Sequence, residues 1–290
     1  MTDPAPPALA ARGLSIGYDR EPVVEGLELS IAAGSVTTLI GANGSGKSTI
    51  LKAFGRLLPP RAGEVRLHGR DIRSLPARAV ARELAILPQK PLTPSATSVR
   101  DLVSRGRHPH QSLLRPFTPA DAAAVAAALA ATGLTGLADR DAASLSGGQL
   151  QRAWVALVLA QDASTILLDE PTTFLDLAHQ LEVLRIVRRI NRERGATIVM
   201  VLHDLGLAAR HSDRLVAVAD GRVVADGTPW QVLTPAVLRE AFGLEASVVP
   251  DPHTGAPLVV PREPVDGDDA EDDGAGRRRD GGSGGDSDWR

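Results

Sequence analysis

Apolar positions change their period several times along the chain. From Leu9 to Leu39 they come in short β-type runs interrupted at Gly13, at Gly17-Tyr18-Asp19, at Gly26 and at Ala33-Gly34. That pattern predicts short strands joined by turns, an antiparallel β element that feeds the β-branched run Val36–Ile40. Thr49–Phe54 then reads as the start of a helix, and a Pro-Pro turn, a strand at Glu64–Leu67, a turn at His68-Gly69-Arg70 and a short apolar strand at Leu84–Pro88 lead to Gln89. From Ser98 to about Ala160 the chain turns Ala-rich, with helical spacing in Val99, Leu102, Val103 and again in Val125, Leu129, which predicts a helical insert. Ser164–Leu168 is a continuous apolar run of the kind buried on both faces of a parallel sheet. Helix Asp176–Arg194 sets Leu177, Leu181, Leu184, Val187 and Ile190 on one face with arginines opposite, and strand Thr197–Leu202 follows. Two short strands around Asp220-Gly221, a helix near Pro235–Phe242 and a strand ending near Val260 close the pattern.

Composition narrows this α/β reading. With 290 residues, 43% hydrophobic and 23% charged, the chain buries a substantial core in one or two domains. Residues 262–290 are Asp, Gly, Arg and Ser with almost nothing to bury, so they are expected to form a disordered tail behind a single domain 1–261. A net charge of −3 argues against a nucleic-acid partner, and the local cluster Arg185, Arg188, Arg189, Arg192, Arg194 reads as a solvated helix face. The absence of cysteine excludes disulfides and thiol chemistry and fits a reducing compartment. The first residues lack the basic and apolar regions of a signal peptide, and no apolar run is long enough to cross a bilayer. A soluble chain is expected, any membrane role coming through a partner.

Candidate chemistry concentrates at four places. Gly41–Thr49 has the Gly-x-x-x-x-Gly-Lys-Ser spacing of a Walker A phosphate loop. Gly41 and Gly46 stand where the backbone must curl so that successive N–H groups share one concavity; Lys47 offers a charge to phosphates and Ser48 a hydroxyl to Mg²⁺. Lysine occurs only at positions 47, 52 and 90 in this arginine-rich chain, so Lys47 is not compositional drift. Asp169-Glu170 ends the apolar strand as a Walker B pair would, one carboxylate for Mg²⁺ and one to deprotonate an attacking water. At Leu145–Gln149 a second Gly-rich turn opens a second helix, Leu150–Leu159, a further anion site. Either the chain binds two nucleotides, or this second site serves a nucleotide held by another copy. His203 follows a strand at the sheet edge where Lys47, Gln89 and Glu170 converge, and is read as a γ-phosphate contact. Tyr18, the one tyrosine, lies on a turn before the loop and is read as a stacking surface for adenine. The pair His108 and His110, with Pro109 between and no third ligand in spacing, favours surface polar contacts over a metal.

Together, Tyr18, the Walker A loop, Gln89, Leu145–Gln149, Leu168–Glu170, Phe174–Asp176 and His203 resemble the motif set of ABC transporter ATP-binding subunits, over residues 9–261. The resemblance implies a P-loop NTPase (RecA-like) core with an N-terminal antiparallel β element and, at about 98–160, an inserted α-helical signature subdomain. It implies catalytic roles for Glu170, His203, Lys47 and Gln89, and Mg²⁺ ligation by Ser48, Gln89 and Asp169. ATP contacts would come from Tyr18, Gly41, Asn43, Gly44, Ser45, Gly46, Lys47, Ser48, Thr49 and Asp169, and from Ser146, Gly147, Gly148 and Gln149 of a second copy in a head-to-tail homodimer. Arg105–Gln111, Arg152–Trp154, Leu159–Gln161, Thr172–Gln180 and Pro257–Pro261 look like the ferric-siderophore importer group, the ferric enterobactin type above all, with vitamin B12 and heme importers as neighbours. Leu150 and Phe174 depart from that group, which more often has arginine and tryptophan there, and the acidic tail is extra. The expected partners are permease subunits and, indirectly, a substrate-binding protein, at the cytoplasmic face of the cell membrane. The segment Gln89–Phe117, with Leu113, Leu114 and Phe117 as its apolar candidates, would touch the permease. An ABC exporter subunit or a soluble ABC ATPase are the rival readings, the latter disfavoured by a single cassette without heptads.

Overall fold

The computed structural model describes residues 6–18, 21–91, 96–112 and 116–264. The elements run β1 (Leu9–Tyr18), β2 (Glu21–Ile31), β3 (Val36–Ile40), α1 (Lys47–Phe54), β4 (Ala62–Leu67), β5 (Arg70–Asp71), α2 (Ala77–Glu83), β6 (Leu84–Leu87), α3 (Val99–Ser104), α4 (Pro119–Ala131) and α5 (Gly147–Ala160). They continue β7 (Thr165–Asp169), α6 (Leu177–Arg194), β8 (Thr197–Val201), α7 (Leu205–His211), β9 (Arg214–Ala219), β10 (Arg222–Gly227), α8 (Pro229–Val232), α9 (Pro235–Phe242), β11 (Leu244–Pro250) and β12 (Pro257–Pro264).

The main sheet has the order β10-β9-β3-β8-β7-β6, parallel except for the edge strand β10. Its three central strands β3, β8 and β7 are buried at every position. Alternate residues feed two cores. Val36, Ile40, Ile166, Leu168, Ile198 and Met200 join the core that contains the apolar faces of α3 to α6. Leu39, Leu167, Val199 and Val201 join the core made with α1 and the antiparallel sheet β2-β1-β4-β5. Because the five parallel strands share one direction, their carboxyl ends deliver the Gly41 loop, Glu170, His203 and Gln89 to one edge of the sheet, where a doubly covered parallel sheet leaves its crevice.

Three expectations change in detail. Gly13 and Gly26 are not turns between short strands: β1 and β2 are single strands of 10 and 11 residues whose register shifts at irregularities between Ala11 and Leu14 and between Leu14 and Ile16. Tyr18 accordingly ends a strand rather than sitting on a turn. The expected tail also starts too early, since Arg262, Glu263 and Pro264 belong to β12, paired with β11 as far as Leu244. Helix α2 has no counterpart in the sequence reading; only Val80 of it is buried, so it carries little apolar period. Leu113, Leu114 and residues 265–290 lie outside the described residues.

The helical layer α3–α5 is fastened by a buried ion pair. Arg107 Nε lies 2.9 Å from Asp121 Oδ1, and Arg107 Nη1 donates to the Ala160 carbonyl at 2.8 Å, joining α4 to the end of α5. Asp121 also closes a capping box with Thr118, and the Thr118 hydroxyl, ahead of Arg107, holds its carboxyl down to about 2 against the opposing effect of burial. His110 donates from Nε2 to the Gln161 carbonyl at 2.8 Å, a polar contact to the end of α5.

Candidate active site

The phosphate loop leaves β3 through Gly41, whose φ of 150° and whose backbone pressed against β9 admit no side chain: a Cβ there would lie 2.1 Å from the Val218 carbonyl oxygen. Gly46, at φ 103°, turns the chain into α1 as its N-cap with no side-chain cap, leaving the first-turn N–H groups open. Lys47 is buried, and its ammonium donates to the carbonyls of Gly41 at 2.9 Å and Ala42 at 2.7 Å. Burial pushes its pKa down, while Glu170 and Asp169 oppose that shift. The lysine therefore rests on the loop's own backbone, a charge poised over the concavity.

Asp169, the last residue of β7, is buried and accepts from Ser48 Oγ at 2.8 Å. Burial is the largest influence on its carboxyl and pushes the pKa up; the Ser48 hydroxyl opposes this. Glu170 steps out of the strand with φ 53°, a left-handed conformation that costs a non-glycine residue about 1–2 kcal/mol. That conformation places its carboxylate among three donors: His203 Nε2 at 2.8 Å, Thr173 Oγ1 at 2.9 Å and the Gln89 side chain. Burial works to raise the Glu170 pKa, but hydrogen bonds from His203, Gln89 and Thr173 prevail and lower it, so the group is an ionised base at neutral pH. The Thr173 contact was missed from sequence, although a hydroxyl three residues beyond a strand-end glutamate is a signal that local reading can use.

A cavity of about 290 Å³ collects Tyr18, Asn43, Lys47, Ser48, Glu170 and His203 among its walls, with Gly44, Gly46 and Thr49. Ser45 and Gly41 brace the loop from below: the Ser45 hydroxyl lies 3.4 Å from Lys47 Nζ and its carbonyl accepts from Gly221 N–H at 3.0 Å. The half-exposed Tyr18 stands at the mouth, its ring centroid 5.6 Å from Lys52 Nζ.

The signature residues are elsewhere. Ser146 caps α5, its hydroxyl accepting from Gln149 N–H at 3.3 Å while Gln149 Oε1 accepts from Ser146 N–H at 3.1 Å. Gly148 is packed against the imidazole of His179, where a Cβ would come within 2.6 Å of the ring. None of Ser146, Gly147, Gly148 or Gln149 lines the cavity that holds Lys47.

A parallel sheet with a glycine-rich loop, a lysine and a strand-end Asp-Glu pair converging at one edge defines a P-loop nucleotide hydrolase. The model for the ABC transporter family matches residues 24–173. The chain is 49% identical over 254 residues to the achromobactin transport ATP-binding protein CbrD of Dickeya dadantii, covering 88% of this chain and 94% of that one. It is 44% identical to the ferric enterobactin transport ATP-binding protein FepC of Escherichia coli, covering 87% and 93%. Its fold matches the dimeric bacterial ABC transporter cassette MJ0796 with a TM-score of 0.68 at 25% identity, over 76% of this chain and 98% of that one. This chain belongs to the ABC transporter family and is an ABC-type ATPase that binds ATP. No helix among the described residues is long and apolar enough to cross a membrane.

Proposed function

We propose that this chain is the ATP-hydrolysing subunit of an importer for an iron(III)-siderophore complex, working as a head-to-tail homodimer beneath membrane permease subunits on the cytoplasmic side. The substrate class rests on its likeness to transport proteins named for achromobactin and ferric enterobactin. The dimer rests on one observation: at the capped start of α5, Ser146 and Gly147 are exposed and line no part of the cavity that holds Lys47. A second copy would bring those donors to the phosphates held by Lys47.

In this reading Lys47 leaves the Gly41 and Ala42 carbonyls for the β- and γ-phosphates, which also take the N–H groups of Gly44 to Thr49. The oxygen donors Ser48 and Asp169, already hydrogen-bonded to each other, fit a hard divalent cation, and Gln89 is one hydrogen bond from the same carboxylate cluster. Mg²⁺ bound there would neutralise phosphate charge. Glu170 orients the attacking water and takes its proton, a role worth roughly 10²–10⁴ in rate. His203, donating to Glu170, fixes that carboxylate's direction and offers its exposed ring to the γ-phosphate. Tyr18 stacks on the adenine at the cavity mouth.

Uptake of several ferric siderophores, with cobalamin and heme as comparison cargoes, in a strain lacking this chain tests the assignment. Restored uptake of a ferric siderophore by the intact chain and not by the Glu170→Gln variant is expected; restoration of cobalamin or heme uptake alone would overturn the cargo.

A further inference from the structure

Lys52 is not among the groups that line the hydrolysis cavity, yet its side chain reaches the cavity's mouth. It lies four residues beyond Ser48 on α1, so the two share one face of the helix. Ser48 donates to Asp169 in the depth of the site, and Lys52 Nζ donates to the Tyr18 hydroxyl at 3.2 Å. The same ammonium is 5.6 Å from the ring centroid, so it sits off the hydroxyl end of the phenol and covers neither ring face. Among the described residues it has no carboxylate partner and no other hydrogen bond. Its charge also reaches deeper: burial is the main influence raising the Asp169 carboxyl, and Lys52 is one of the charges that oppose it. Direct attraction of phosphate is therefore the competing role for this lysine.

Tyr18 is the last residue of β1 and is half-exposed. A ring in that place has two side-chain torsions to fix before it can lie flat against a base, and fixing them costs entropy on binding. Its backbone is already held, by pairing with Glu21 and by Arg61 Nη2, which donates to the Tyr18 carbonyl at 3.1 Å. The ring itself depends on Lys52, the one hydrogen-bond partner of its hydroxyl among the described residues. Lys52 starts from a firm base. Helix α1 buries Ile50, Leu51, Ala53 and Phe54, and the Lys52 carbonyl accepts from Leu57 N–H at 2.8 Å. One helix locked in the core thus carries Lys47 and Ser48 at its start and aims the ring from its next turn, which fixes the span between phosphate loop and ring within a single rigid element.

We propose that Lys52 is a positioning residue for the nucleotide base: by holding the Tyr18 hydroxyl it presets the ring that stacks on adenine, and it does not act on the phosphates. This rests on the reading of Tyr18 as the stacking surface, and the test separates the two. Equilibrium binding of ATP and of inorganic tripolyphosphate, which has the phosphate chain without the base, is measured with Mg²⁺ on the full-length chain in a Glu170→Gln background. Tyr18→Ala should weaken ATP roughly five- to hundredfold, the range of base stacking on an aromatic ring, and leave tripolyphosphate unchanged. Lys52→Met should weaken ATP roughly two- to tenfold, the cost of ordering one side chain, again without effect on tripolyphosphate. Lys52→Arg should restore ATP affinity, and Lys52→Met should add nothing once Tyr18 is Ala. Because Tyr18 is the one tyrosine, a ¹³C-labelled ring gives a single signal, whose order should fall in Lys52→Met before any nucleotide is added. Equal weakening of ATP and tripolyphosphate by Lys52→Met, additive effects in the double variant, or an unchanged ring order each overturns the proposal while stacking stands. Full ATP affinity in Tyr18→Ala overturns the stacking reading and this proposal with it.

Discussion

Two helix starts in this chain offer open N–H groups to an anion, and they are built in opposite ways. At α1 the helix has no side-chain cap, its loop is formed by left-handed glycines, and a buried lysine fills the concavity by donating to the loop's own carbonyls. At α5 the helix is closed by a reciprocal Ser146–Gln149 capping box, and its glycines face outward or against His179. The first has its loop, its lysine and Glu170, the proposed base, on the walls of one cavity of the same chain. The second is locally satisfied and globally unfinished. A helix start that needs no ligand for its own stability, yet lines no part of the cavity that holds Lys47, is suited to the proposed role of closing a chamber on another copy.

The largest effect expected from breaking this contrast comes from the first site. Glu170→Gln should lower steady-state ATP hydrolysis by about 10²–10⁴ while ATP binding persists, measured by phosphate release and by equilibrium binding. Next comes the platform of the second site. Replacing Arg107 with Ala leaves the Asp121 carboxylate buried without its charge partner, a loss of about 3–5 kcal/mol readable by denaturant titration. Hydrogen exchange should then accelerate in α4 and α5 more than in α1. Asp121 carries a depressed pKa of about 2, so its stabilising contribution is complete above the ordinary aspartate range and is lost as pH falls from about 4 towards 2. The parent should lose stability over that window more steeply than Asp121→Asn.

Smaller effects sharpen the comparison. Ser146→Ala removes a helix cap worth about 1 kcal/mol, and the proposed role in a partner's site predicts a fall in ATPase activity far beyond what that loss of stability explains. Smallest is the expected change at the acid limb of the rate profile. As the proposed base, Glu170 would act ionised, and His203 is the first of the donors that lower its pKa. His203→Ala should therefore move the acid limb to higher pH; an unmoved limb would separate His203 from the base.

How much of this is legible in the sequence depends on the range of each interaction. Gly41–Ser48, Asp169-Glu170 and Ser146–Gln149 are local patterns whose chemistry is fixed within a few residues, and the five parallel strands follow from short β-branched runs alternating with helical spacing. The lysine's resting contacts, the Gln89 bond to Glu170 and the His179 ring against Gly148 are conformational or long-range, with no periodic trace. Bulges hid the true length of β1 and β2, because glycines that mark turns elsewhere mark register shifts here. A cavity between α6 and α7 is invisible for a related reason: one helix's arginines read as solvated until the neighbouring helix adds Arg210 and His211.

The central claim is tested most directly by trapping the two helix starts together across chains. In a Glu170→Gln background, one chain carrying Asn43→Cys and a second, size-tagged chain carrying Ser146→Cys provide the only thiols in the mixture. The account predicts an ATP-dependent disulfide between the two chains, absent without nucleotide. Failure to form that cross-link with ATP bound, while each chain still binds nucleotide normally, would contradict it.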